Sequence, residues 1–143
     1  MPNWMHNTVT LKGDKDKLDA FQDKLAGNNG WVDFNRIVPM PPQSDTFYAD
    51  GPIGDTERKH YGKNNWYDWS IEHWGTKWNA VEPKRFAGAG LSYEFYTAWD
   101  APRPLIEPIT ALARSFGLTM SWECRDEDGS EVALDDEVSG DAV

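Results

Sequence analysis

A chain of 143 residues has the length of one domain, and 39% hydrophobic residues with eight tryptophans give it the means to fold around a few large rings, which excludes a disordered tract. Its formal charge of −10 offers no Lys/Arg stripe of the kind a phosphate backbone demands. The charge is lopsided: residues 123–143 carry nine acids against Arg125, while the first 122 carry fifteen acids against thirteen bases.

The opening stretch lacks the basic start and apolar run of a secretory leader, and residues 4–11 alternate between Trp4, His6, Thr8, Thr10 and Met5, Asn7, Val9, Leu11, which predicts a strand. Asp14 is placed to cap a helix in which Leu18, Phe21 and Leu25 share a stripe, ended by the Gly27–Gly30 cluster. Residues 31–38 form a short apolar stretch, stopped by Pro39, Pro41 and Pro42. Residues 43–65 are rich in Gly, Pro, Asp and Asn and read as a long loop. Residues 66–75 predict a short helix, with Trp66, Trp69, Ser70 and His73 on one stripe and Gly75 closing it. A strand is expected to start at Trp78 and stop before Pro83, and residues 86–90 read as a turn.

Alternation is clearest over residues 91–98, where Leu91, Tyr93, Phe95 and Thr97 oppose Ser92, Glu94, Tyr96 and Ala98. Pro102 and Pro104 suit the start of a helix whose stripe is Leu105, Ile109, Leu112, Ala113 and Phe116. Leu118, Met120, Trp122 and Cys124 then mark a last strand. A lone Cys124 has no disulfide partner, which points to a reducing, cytoplasmic setting and to a packing role for the thiol. Beyond it, residues 126–129 are able to turn a hairpin into residues 132–134. No run approaches the roughly 20 apolar residues of a membrane span, and no lipidation motif is present.

The order of elements predicts an α+β domain of the ferredoxin-like βαββαβ kind over residues 1–125, with a Trp-rich insertion at 28–75 between the first helix and the second strand, and an acidic tail or hairpin at 126–143. Four stretches carry a resemblance: Asn3-Trp4 with Asn7 and Val9; residues 34–41, FNRIVPMP; residues 66–80 with Trp66, Tyr67, Ile71, Glu72 and the WGTKWNA run; and residues 95–99, FYTAW, with Pro102 and Pro104. In these the chain resembles the YubB-like, Api-type family carried by phages, plasmids and integrated elements. The resemblance covers residues 3–122. It implies a ferredoxin-like core and a mobile-element setting, and it carries over no catalytic residue.

Candidate sites are few. Large rings at helix and strand spacing ordinarily fill cores, so Trp66, Trp69 and Trp78 are expected to brace the insertion, while Tyr67 and Trp74, off the main stripe, are expected as partner contacts. Asp68 and Glu72, four residues apart, and His73 could be drawn as an acid/base cluster, but a hydrogen-bonded structural role is the expectation, because no HExxH, nucleophile elbow or Walker loop accompanies them. His6, His60 and His73 are scattered, so no metal and no cofactor is expected.

The acids Glu123, Asp126, Glu127, Asp128, Glu131, Asp135, Asp136 and Glu137 either keep the chain soluble or mimic nucleic acid in the basic groove of a host protein. With the resemblance, they point to a non-enzymatic inhibitor of a host defence or nucleic-acid-handling complex, of the anti-restriction or anti-CRISPR type. The alternative is a nucleic-acid-binding or regulatory module that stacks bases on Tyr93, Phe95 and Tyr96, against which stands Glu94 where a base would be wanted.

Overall fold

The computed structural model describes residues 3–134. Strand β1 (Trp4–Lys12) leads into helix α1 (Lys15–Leu25). A 3-10 turn (Phe34–Arg36) and two short helices, α2 (Asp55–Tyr61) and α3 (Trp66–His73), follow before β2 (Val81–Ala87). Strand β3 (Leu91–Ala98), helix α4 (Arg103–Ser115) and β4 (Thr119–Arg125) complete the fold. The four strands form one sheet in the order β2-β3-β1-β4, with every neighbouring pair antiparallel. The domain is thus α+β, a four-stranded antiparallel sheet with four helices.

Period-2 alternation decides which face of the sheet is covered. Val9 and Leu11, Leu91, Tyr93 and Phe95, and Met120 and Trp122 point to one side and are buried there with Leu18, Phe21 and Leu25 of α1 and Leu105, Ile106, Ile109 and Ala113 of α4. The other face presents Trp4, His6, Thr8 and Thr10, with Glu94 and Tyr96 beside them, and every one of these six keeps some exposure. Within the covered face Asn7 is fully buried and completely engaged: its amide donates to Thr97 Oγ1 at 3.0 Å, and its oxygen accepts from Trp122 Nε1 at 3.1 Å. A buried amide with both ends paired satisfies polar groups of three strands at once.

Residues 26–80 are attached to this core by rings and amides instead of a ladder. An edge-to-face series runs Trp69–Trp74 (5.2 Å), Trp74–Phe34 (5.8 Å), Phe34–Phe95 (5.8 Å) and Phe95–Trp122 (6.0 Å), from α3 through the 3-10 turn to β3 and β4. Asn79 accepts from the backbone of Phe34 and donates to Asp33, and Asn29 donates to the carbonyls of Val32 and Ala80. Gly75 closes α3 with φ +78, and a Cβ there would lie 2.5 Å from Pro104 Cδ, so the close approach of α3 to α4 requires glycine.

Three sequence expectations are corrected. The expected loop at 43–65 contains α2, a helix with no buried residue, started by Glu57 accepting from the Gly54 amide at 2.7 Å; with no apolar stripe it leaves no periodic trace. Strand β2 does not stop before Pro83 but runs through it to Ala87, because β2 is an edge strand and the register breaks between Val81 and Lys84, where a missing amide N–H costs no ladder bond. Trp74 and Trp78 exchange their expected roles. Trp74 follows the last helical residue, and the chain turn at Gly75 carries its ring inward, where it is 4% exposed and its Nε1 donates to the Val38 carbonyl at 2.9 Å. Trp78, expected as a core brace, is 37% exposed.

Candidate functional site

The uncovered face of the sheet ends, on the side where β1 begins and β3 finishes, in an open groove of about 510 Å³. Its walls are the rings of Trp4, His6 and Tyr96 with Val81, and its rim carries Glu82, Asp126 and Glu127. Ladder register explains the walls: His6 faces Tyr96 across β1 and β3, with ring centroids 5.2 Å apart, and Val81 faces Tyr96 from β2. His6 Nε2 bonds Glu94 Oε1 at 3.1 Å, which fixes the imidazole against the sheet. Glu82 reaches the rim because it sits in the β2 bulge with φ +50, and a bulge re-aims the side chains beside it. Asp126 and Glu127 arrive through the turn after β4, in which Asp126 Oδ1 accepts from the amides of Asp128 and Ser130.

From Trp4 the aromatic surface continues outward. Trp78 stacks on Trp4 at 5.9 Å and 28°, and Tyr67 meets Trp99 edge-on at 6.1 Å. Lys77 Nζ stands 4.6 Å from the Trp78 ring centroid, 5.7 Å from Trp99 and 6.0 Å from Tyr67. Among the described residues only two outside glycine have positive φ, Glu82 and Trp99, and both belong to this surface. Backbone held in that region costs free energy that the surrounding fold has to supply, and such residues gather where side-chain placement matters.

Tyr67 is half-buried and belongs to this aromatic surface, whereas Trp74 lies beneath it in the core. Asp126 and Glu127 reach the groove. Glu123 points to the uncovered face but is held by Arg125 Nη2 at 2.7 Å, and Asp128 and Glu131 are exposed on the turn. Asp135, Asp136 and Glu137 lie outside the described residues. The turn itself folds back: Val132 donates to the Cys124 carbonyl at 2.8 Å, Arg103 donates to the Ala133 carbonyl at 3.0 Å, and Leu134 packs on the core.

Asp68, Glu72 and His73 do not converge. Asp68 accepts from Asn65 at 2.7 Å and pairs with Arg58 at 3.2 Å, while His73 stacks on Trp69 at 4.4 Å and bonds its carbonyl. Glu72 is exposed. Cys124 is fully buried, and burial pushes its thiol up to about 11, so it stays protonated and unreactive at neutral pH. Among the described residues no group of three His, Cys, Asp or Glu side chains stands where it could hold a metal ion, and no helix is long and apolar enough to cross a membrane.

The groove residues Trp4, His6, Glu82 and Tyr96 were not singled out together from sequence. The alternation of β1 and β3 does put Trp4, His6, Glu94 and Tyr96 on the face opposite the aliphatic one, and rings on a face that should be polar were the available signal.

Fold and surface together define a small α+β domain with an aromatic, acid-rimmed groove on the uncovered face of its sheet. Compared with protein-family models, curated proteins and solved structures, the chain matches none of them.

Proposed function

We propose that the protein is a non-enzymatic binding factor of a phage, plasmid or integrated element. In this reading it acts in the host cytoplasm and inhibits a defence or nucleic-acid-handling complex by engaging a basic surface of that complex. The observation that carries this is the groove, in which the rings of Trp4 and Tyr96 stand beside the carboxylates of Glu82, Asp126 and Glu127. Aromatic residues dominate the energetics of protein interfaces, and carboxylates around them select a cationic partner and speed its approach.

The proposal includes a ferredoxin-like reading of the fold, supported by the β2-β3-β1-β4 order and by helices that follow β1 and β3. It also includes the YubB-like, Api-type relationship, supported by the four sequence stretches that carry it. A nucleic-acid ligand on the same sheet face is disfavoured by Glu82, Glu94, Asp126 and Glu127, which would repel its phosphates.

The test is affinity capture from a bacterial lysate with three proteins side by side: the intact chain, a chain ending at Leu134, and the intact chain with Glu127→Gln, Asp128→Asn and Glu131→Gln. Capture of a nucleic-acid-handling complex is expected to weaken at least tenfold in the triple variant and to fall steeply between about 0.05 and 0.5 M salt, as screening shortens the reach of the charges. Undiminished capture by both altered chains at high salt sinks the proposal. So does a single-stranded or duplex oligonucleotide that binds the isolated protein at micromolar concentration.

A further inference from the structure

We infer that the groove on the uncovered sheet face is a receptor for an arginine side chain of the partner protein, with the guanidinium laid on Trp4 and Tyr96 and bonded by Glu82 and Glu127. This rests on the proposed function and gives it a site. The first support is that the same aromatic surface already holds a cation: Lys77 stands over Trp78, Tyr67 and Trp99, and Trp78 stacks directly on Trp4, so the ring surface that carries the ammonium runs on into the groove. Ring faces attract cations through their quadrupole, Trp best and Tyr next.

The second support is charge. Glu82 and Glu127 line the groove and have no hydrogen-bond or ion-pair partner among the described residues. Arg125, opposite His6 in the ladder, does not serve them, since its two terminal nitrogens go to Glu123 at 2.7 Å and to the Gly129 carbonyl at 3.0 Å. Of the other acids here, Glu94 is taken by His6, and Asp126 Oδ1 accepts from the amides of Asp128 and Ser130. Carboxylates without a partner among the described residues and ring faces therefore meet in one place, and Glu82 is brought there by the positive-φ bulge where the β2–β3 register breaks.

Arginine fits this combination better than lysine. Its planar guanidinium stacks on a ring while its edge presents several N–H donors to carboxylates, and it sheds water more readily than an ammonium. A volume of about 510 Å³ admits the side chain together with neighbouring backbone.

The experiment uses the intact chain, its Glu82→Gln/Glu127→Gln double variant and its Tyr96→Leu variant, all three substitutions lying on the uncovered face. Probes are the blocked hexapeptide GRGGRG and its lysine and citrulline counterparts, titrated while the tryptophan indole N–H signals are followed by NMR. The arginine peptide is expected to shift the Trp4 signal saturably, with affinity at least fivefold lower in either variant. The lysine peptide is expected to bind several-fold more weakly, and citrulline to give no saturable shift. Equal binding of arginine and citrulline peptides, or unchanged affinity in both variants, overturns the inference.

The same two variants go into the lysate capture. If the partner is captured normally by both, the proposed function stands and the arginine receptor falls. If the unaltered chain captures no nucleic-acid-handling partner while the peptide titrations run as expected, the receptor stands and the proposed function falls.

Discussion

Two halves of this molecule are held together by different physics. In the sheet with α1 and α4, backbone ladders supply the hydrogen bonds and side chains of period 2 and 3.6 supply the burial, so each residue's role follows from its place in a regular element. Between residues 26 and 80 the regular elements are short, and the chain is fixed by individual side chains reaching backbone groups: Asn29, Asn65 and Asn79 through their amides, Trp66 and Trp74 through their indole nitrogens. The lesson is that a segment with few aliphatics can still be ordered when each buried polar group is matched singly. Such a segment depends on single residues more locally than a sheet does.

The strongest way to break the comparison is at a buried ring that packs against rings of both halves. Phe95 is 1% exposed and packs edge-on against Phe34 on one side and Trp122 on the other. Phe95→Ala is expected to cost about 3–5 kcal/mol, read by denaturant unfolding, and to unfold both halves in one transition. Separate transitions for the two halves would show that the ring series does not couple them.

A smaller effect sharpens it. Asn65 is 1% exposed, caps α3 by accepting from the Asp68 amide, and donates to the Gly62 carbonyl and to Asp68 Oδ2. Asn65→Ala is expected to cost about 1–2 kcal/mol. Hydrogen exchange should locate that loss in α3, with amides of β1 and β3 nearly as protected as before. Equal acceleration in sheet and helix would mean that the two halves open as one unit. The least effect is expected from Glu72→Ala, within about 0.5 kcal/mol by the same denaturant measurement, because this exposed carboxylate meets only His73, at 3.9 Å.

The same division explains what the sequence revealed. Strands β1, β3 and β4 and helices α1 and α4 were legible because each buries one face and so writes a period into its residues. Helix α2 buries nothing and wrote none. Helix α3 was legible through Trp66, Trp69 and His73, but the fate of Trp74 was decided by where the helix stops, one residue earlier, and by the turn at Gly75. Strand β2 was cut short at Pro83 because the rule against proline in a ladder applies to paired positions, and pairing was not visible from β2 alone.

For the candidate site, Tyr67 was singled out by its place off the helical stripe and Asp126 and Glu127 by the run of acids in the tail; the structure puts the two acids on the groove and Tyr67 on the aromatic surface beyond it. The groove itself was missed, because it exists only once β1, β2, β3 and the turn after β4 are brought side by side.

The proline in β2 has one more consequence. The sheet has two borders, β2 and β4: along β2, Pro83 offers no N–H and the bulge breaks the spacing, while at the end of β4 the returning chain bonds the Cys124 carbonyl through Val132. A visiting polypeptide therefore meets an interrupted row of donors and acceptors along β2 and a capped end on β4. At both places the pairing of a further strand, from a partner or from another copy of the chain, is cut short.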